Sequence, residues 1–321
     1  MYHRLFCIEK RAQISWTVQV EKALSEYGHG NKAALKKLKK HWKKYVDRLT
    51  ALVRSLATSA PAAVTAQSVN TESPDLMRSK LESLMVTEVH GRDVIERLSR
   101  SPAVRGPAAW EWALQLRFEY VEGDGGGGKM GTAYALQSGS RIEYGFEYQG
   151  NGRRRLVVTP LTERVRLALT MALSFNLGAA VQGAAGAGKT ETVKDLGAAL
   201  GVGVVVFNCS ATLDHLTLGN WLAGLAQCGA WGCFDEFNRV QLEVLSVAAQ
   251  QISCILKQVE ARKDTFNFLG RQITLNRNVG IFVTMNDVCL LMITRCLCCH
   301  ALSSILEHFR DSLKCSKWVW V

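Results

Sequence analysis

Apolar residues recur at spacings of three and four through the first part of the chain. Further on they give way to short apolar runs. Ile14, Trp16, Val18 and Val20 lead into Glu21–Tyr27. After His29-Gly30-Asn31, the positions Leu35, Leu38, Trp42, Tyr45, Val46, Leu49, Leu52 and Val53 line one helix face. Residues 14–56 are therefore expected to be helical, with a break around Gly30. Residues 57–75, rich in Ala, Ser, Thr and Pro, read as a loop. A second helical region is expected from Asp75 to Ser99, ended by Pro102 and Pro107. Trp110–Tyr120 reads as a third, short helix. Gly123–Gly131, with four glycines in a row at Gly125–Gly128, reads as a flexible loop. Arg141–Tyr148 alternates like a strand.

From Leu156 the pattern changes to strand–helix alternation. Strands are expected at Ala179–Gln182, Val202–Phe207 (of buried type), Ala230–Phe234 and Val279–Met285. Helices are expected from Gly188, over Leu213–Gln227 and over Arg239–Arg262, and a hairpin at Phe266–Leu275 turning at Gly270. Such alternation predicts an α/β fold, a parallel sheet with helices on both faces, preceded by a mainly helical segment. Four strands of that sheet are legible.

Charge changes this picture less than its total suggests. The 321 residues carry a net +11, which alone would point to nucleic acid or an anionic surface. Residues 1–60 hold 13 Lys/Arg against 4 Asp/Glu, so the remainder is near neutral. Lys36, Lys37, Lys39, Lys40, Lys43 and Lys44 lie mostly off the apolar face. They read first as a solvated helix face and second as a nucleic-acid or microtubule contact. Nothing aromatic is interleaved on the polar side, so stacking on bases is not supported. Neither a secretory leader nor an apolar run of membrane-spanning length is expected. Ten cysteines, five of them between Cys289 and Cys315, suit an intracellular compartment with free thiols.

The chemistry-bearing segment is Gly183-Ala184-Ala185-Gly186-Ala187-Gly188-Lys189-Thr190, followed by Glu191. It fits the phosphate-binding pattern GxxxxGK[ST] between a strand and a helix. Glycines let the backbone N–H groups converge on phosphate oxygens, and the helix N-terminus adds positive potential. Lys189 would reach the β- and γ-phosphates of ATP, and Thr190 would offer its hydroxyl to Mg²⁺. Trp231–Glu236 is an apolar strand ending in two carboxylates. Asp235 would serve the metal and Glu236 would act as general base toward water. Asn286, directly after an apolar strand, fits a residue that orients that water.

These segments resemble the dynein heavy chains. GAAGAGKTETVKDLGAALG, FNCS at Phe207–Ser210, GAWGCFDEFNR at Gly229–Arg239, VLSVAAQQI at Val244–Ile252 and LGRQITLNRNVGIFVTMN at Leu269–Asn286 are similar to the first AAA+ module of that family. YGFEYQGNGRRRLVVTPLTERV at Tyr144–Val165 resembles the entry to the module. QISWTVQVEKAL, VHGRDVIERL and WEWALQLRFEY resemble the end of the linker. The likeness covers roughly residues 12–286.

The resemblance implies an AAA+ P-loop NTPase large subdomain at 151–286, behind the C-terminal part of a linker at 1–150. It implies that Thr159-Pro160-Leu161-Thr162 lies against adenine, so that Pro160 and Leu161 join the nucleotide contacts. It implies ATP and Mg²⁺ as cofactors and a linker swing that drives minus-end-directed movement on microtubules. Microtubule contact would come from a stalk far downstream. Intermediate and light chains and other heavy chains would be partners, without nucleic acid or membrane. The expected place is the cytoskeleton of the cytoplasm, in a cilium or flagellum axoneme, and VLSVAAQQI leans toward an outer-arm-like member.

At Asp287 the likeness stops. Residues 287–321 form a Cys-rich tail, expected to be foreign to the fold and to read like translated non-coding or frame-shifted sequence. Cys296, Cys298, Cys299, His300 and His308 fit no standard zinc spacing. A fifth strand, a helical lid and a neighbour's arginine finger are not legible. Such a finger contributes roughly 10³–10⁵ in rate in related phosphoryl transfer. The chain alone is therefore expected to hydrolyse ATP poorly. The alternative is a truncated, non-catalytic product that at most binds nucleotide or a partner.

Overall fold

The computed structural model describes residues 3–58, 74–122, 131–147, 155–286 and 318–320. The chain divides into two compact units. One comprises Met1–Tyr144 with Tyr148–Glu163, the other Gly145–Glu147 with Arg164–Val321.

The first unit opens with three long helices, α1 (His3–Gly28), α2 (Ala33–Thr58) and α3 (Pro74–Arg100). Trp16, Val20, Leu24, Leu35, Trp42, Val46, Ile95 and Leu98 form their shared core, so the spacing of apolar positions is realised as packing. The expected helix over Trp110–Tyr120 is corrected. Only Trp110–Ala113 is helical (α4), and Arg117–Val121 is a strand, β1. Phe118 is 3% exposed there, facing inward from the strand. β1 pairs antiparallel with β2 (Thr132–Gln137), and β2 with β3 (Ser140–Glu143). Ser138 and Gly139, at φ 48° and 83°, make a two-residue hairpin whose twist matches its strands.

The second unit is α/β. Helix α5 (Pro160–Ser174) leads into it, followed by β4 (Gly178–Gly183), α6 (Lys189–Leu200), β5 (Val204–Asn208), α7 (His215–Cys228) and β6 (Trp231–Asp235). Next come a 3-10 turn at Phe237–Arg239, α8 (Leu242–Glu260), the hairpin β7 (Thr265–Phe268) and β8 (Arg271–Thr274), and β9 (Gly280–Asn286). The long helix expected from Arg239 thus starts three residues later, after the turn. β5 was expected to be buried but forms an edge of the sheet, with Val205 44% exposed.

Among the described residues the sheet has five parallel strands in the order β10-β4-β9-β6-β5. This corrects the expectation of four. Trp318–Trp320 supplies β10, with Trp318 opposite Gly178 and Trp320 opposite Ala180. Aromatic and β-branched residues favour strands, and β10 pairs backbone groups that β4 would otherwise leave open along its edge. Phe234, Leu218, Leu222, Ile252, Ile255, Ile281 and Val283 fill the core on the α7 and α8 side. The metal question raised by Cys296, Cys298, Cys299, His300 and His308 lies outside the described residues.

Candidate functional site

Parallel strands deliver their carboxyl ends to one rim. β4 ends at Gly183 directly opposite Asn286 of β9, and β5 ends at Asn208 opposite Asp235 of β6. The loop Gly183–Gly188 leaves that rim and enters α6. Gly186 and Gly188 have φ of 77° and 83°, and a Cβ at either would meet nothing within 4 Å. Both glycines are needed for backbone conformation, and the space beside them is open. No side chain caps the N-terminus of α6. Its first N–H groups carry the partial positive charge of a helix start, suited to an anion.

Lys189 Nζ donates to the carbonyls of Gly183 at 2.9 Å and Ala184 at 2.8 Å, and to Asn286 Oδ1 at 2.9 Å. Three neutral oxygens thus orient a cation at the loop mouth. Thr190 Oγ1 donates to Asp235 Oδ1 at 2.6 Å. A hydroxyl and a carboxylate converging this closely form an oxygen pair suited to Mg²⁺ or to its bound water. The residues therefore fit the implied metal. Among the described residues no group of three or more His, Cys, Asp or Glu forms a metal cluster.

Glu236 takes an unusual backbone conformation for a non-glycine residue, φ 53° and ψ 42°. Its amide N–H donates to Thr284 Oγ1 at 3.1 Å, and Thr284 Oγ1 in turn donates to Asp235 Oδ1. Thr284, fully buried on β9, was missed from sequence. Its place two residues before Asn286, on the same strand face, was the available signal. Asn286 Nδ2 lies 3.4 Å from Glu236 Oε1, and Arg239 Nε lies 2.9 Å from Glu236 Oε2.

Cys209 and Cys233 flank this rim as free thiols. Burial, then the Asp235 charge, pushes both up to about 12, so neither is a nucleophile at neutral pH.

The structure thus brings together Lys189, Thr190, Asp235, Glu236 and Asn286. Glu191 turns aside to pair with Lys194. Ala184, Ala185 and Ala187 occupy the loop. Pro160 and Leu161 open α5, which the sequence reading did not resolve as a helix. There Thr159 and Thr162 cap each other, with Thr159 N–H donating to Thr162 Oγ1 at 2.8 Å and Thr162 N–H to Thr159 Oγ1 at 3.3 Å. Pro160 holds the first helical position, and Leu161 is 68% exposed.

Residues 144–290 match the family described as the hydrolytic ATP binding site of dynein motor region. The chain is 43% identical over 274 residues to the Dynein-1-beta heavy chain, flagellar inner arm I1 complex, of Chlamydomonas reinhardtii. That match covers 85% of this chain and 6% of the relative. Dynein axonemal heavy chain 2 of Homo sapiens is 42% identical over 276 residues, covering 86% of this chain and 6% of its own length. The mouse protein of the same name reaches 48% over 211 residues, 66% of this chain and 5% of its own.

Proposed function

Because the chain belongs to the dynein heavy chain family, we propose that Gly183–Thr190, Asp235, Glu236 and Asn286 bind MgATP and hydrolyse it. One observation carries this reading. Five side chains of the expected types converge at the carboxyl ends of adjacent parallel strands, beside an uncapped helix start. Lys189 and the α6 N–H groups would hold the phosphates. Thr190 and Asp235 would hold Mg²⁺, which supplies charge neutralisation as negative charge shifts to the leaving oxygen. Glu236 accepts a proton as water oxygen bonds to the γ-phosphorus and the bridging oxygen leaves with ADP. Asn286 orients that water. Pro160 and Leu161 contact the adenine.

In the whole protein, residues 1–150 would be the C-terminal part of the linker, and 151–286 the large subdomain of the first AAA+ module. Hydrolysis would drive the linker swing for minus-end-directed movement along microtubules in an axoneme. Heavy, intermediate and light chains would be its partners.

Lys189→Ala tests the site. Calorimetric titration with MgATP should show at least about a hundredfold loss of affinity, the scale of a charged contact whose partner is left unpaired. Unchanged affinity would overturn the site. Binding that persists in Glu236→Gln while phosphate release stops assigns Glu236 to the chemistry. A wild-type chain that binds without turnover is the non-catalytic alternative.

A further inference from the structure

ATP hydrolysis uses nothing from α2, yet that helix holds eight Lys/Arg against one acid, Asp47. Leu35, Trp42, Val46 and Leu49 are buried, so its apolar face belongs to the core and the rest turns outward. Lys36, Lys37, Lys40, Lys43, Lys44 and Arg48 are exposed. Among the described residues none of these six has an ion-pair partner. The same unit pairs its cations elsewhere: Arg78 with Glu82, Arg100 with Glu96, Arg117 with Glu21 and Arg141 with Glu119. A face that needs only solvation carries both signs, as those surfaces do. A face of one sign concentrates ligands of the opposite sign.

A groove of about 320 Å³ runs between α1 and α2 beside this face. Ala23 and Ala34, 7% and 6% exposed, form its floor with Leu38, and Lys22, Glu26 and Lys37 stand along its sides. Lys37, His41, Lys44 and Arg48 recur at spacings of four, three and four, so they continue from the groove as one stripe along the helix. That stripe is about 16 Å long, a distance an extended peptide covers in about five residues. Lys36, Lys40 and Lys43 lie a further stripe around the helix, and none of them lines the groove.

We propose that the α1–α2 groove and the Lys37–Arg48 stripe form a docking surface for an extended, acidic peptide segment of a partner protein, anchored by one apolar side chain. Carboxylates of the segment meet the cations of the stripe, and a side chain of Leu size enters the groove over the two alanines. Glu26 accepts from Asn31 Nδ2 at 3.2 Å and has acceptor capacity left for a peptide N–H. A phosphodiester backbone offers no such donor and is repelled there. Bases find no exposed ring to stack on, since Trp42 is 4% exposed and Tyr45 is half-buried. Single exposed ion pairs are weak, so binding needs the array and the anchor together. It therefore weakens as salt screens the array.

The test is fluorescence anisotropy of the full chain with a labelled peptide of alternating Glu and Asp carrying one central Leu. The same peptide with Ser in place of Leu, and a labelled oligothymidylate of equal length, are titrated beside it. The Leu peptide should bind at least about fivefold more tightly than the Ser peptide and lose affinity with added salt. Lys37→Glu/Lys44→Glu should weaken it by roughly tenfold or more. Lys36→Glu/Lys43→Glu, with the same net charge, should weaken it by less than about threefold. Far-UV circular dichroism identifies a pair that fails to fold, and the corresponding Lys→Gln pairs, with the same order of effects, then decide. No binding of the Leu peptide, equal affinity for the Leu and Ser peptides, or equal loss in the two double variants would overturn the proposal. Oligothymidylate bound as tightly as the Leu peptide would overturn it as well, and assign the face to nucleic acid.

Discussion

Each unit buries a carboxyl group, and the two do so in opposite ways. In the second unit Asp195, on α6, is 4% exposed and bonded to Arg166 of α5, itself 7% exposed. In the first unit Glu88, on α3, is 3% exposed, and among the described residues no cation pairs with it. Burial raises its pKa to about 7, the Trp42 indole offsets part of that rise, and the Glu9 charge adds to it. Tyr45 is raised as well, by burial and then by the Glu88 charge. The unit that holds the phosphate loop thus matches its buried charge with a partner, whereas the helical unit moves toward neutralising its own. Burial alone does not decide protonation; the partner does.

Removing the partner should break the contrast most severely. Asp195→Ala leaves the Arg166 guanidinium buried beside a gap. Breaking a buried pair in this way costs about 3–5 kcal/mol, whereas replacing both members by apolar residues is often neutral. Thermal unfolding should show the second unit strongly destabilised in Asp195→Ala and largely restored in Arg166→Met/Asp195→Leu. A double variant as unstable as the single one would mean that charge, not filled volume, is required there.

Glu88→Gln sharpens the other half. The unfolded chain gives up this proton near 4.5, the folded chain near 7. Between those values the folded state holds more protons, so stability falls as pH rises through the window and stays level above it. The ionised group then costs on the order of 3 kcal/mol at pH 8. Denaturant midpoints of Glu88→Gln should be higher than wild type at pH 8, converge at pH 4, and lose this part of the pH slope. An unchanged slope would show that Glu88 finds a counter-charge.

Much of the second unit is legible in the sequence. Gly183–Thr190 was legible because each residue type has one physical task at that spacing. Trp231–Glu236 was legible because an apolar strand ending in two carboxylates has few structural uses. The hairpin of the first unit was not. Its inward positions Ala133, Ala135 and Gln137 offer little hydrophobic contrast to reveal a period of two. Trp110–Tyr120 suited either period, and only the pairing of Phe118 with Ala135 decides for a strand. Helix α5 hid because its buried face includes Arg166 and Thr170. Trp318–Trp320 is too short to stand out, and its role depends on β4, about 140 residues earlier. Contacts that cross the sheet set the remaining site residues, and one sequence does not record them.

Thr284 is the smallest and most local test of the same contrast. Its hydroxyl donates to Asp235 and accepts from the Glu236 amide, so one side chain ties both carboxylate residues to β9. In sequence it is an ordinary β-branched residue within a strand, which is why it went unnoticed. Thr284→Val keeps shape and strand preference but removes both bonds. Among the described residues the Asp235 carboxylate then keeps the Thr190 hydroxyl as its hydrogen-bond donor, and the Glu236 amide, in its left-handed conformation, loses its acceptor. The lost bonds should cost about 1–3 kcal/mol of unfolding free energy. If the partnered carboxylates serve the proposed metal site, the Mg²⁺ dependence of nucleotide binding should weaken as well. Thr284→Ser restores the hydroxyl and should recover Mg²⁺ dependence even where its smaller side chain packs less well. Equal behaviour of the Val and Ser variants in a magnesium titration would show that the second unit partners its carboxylates for stability alone.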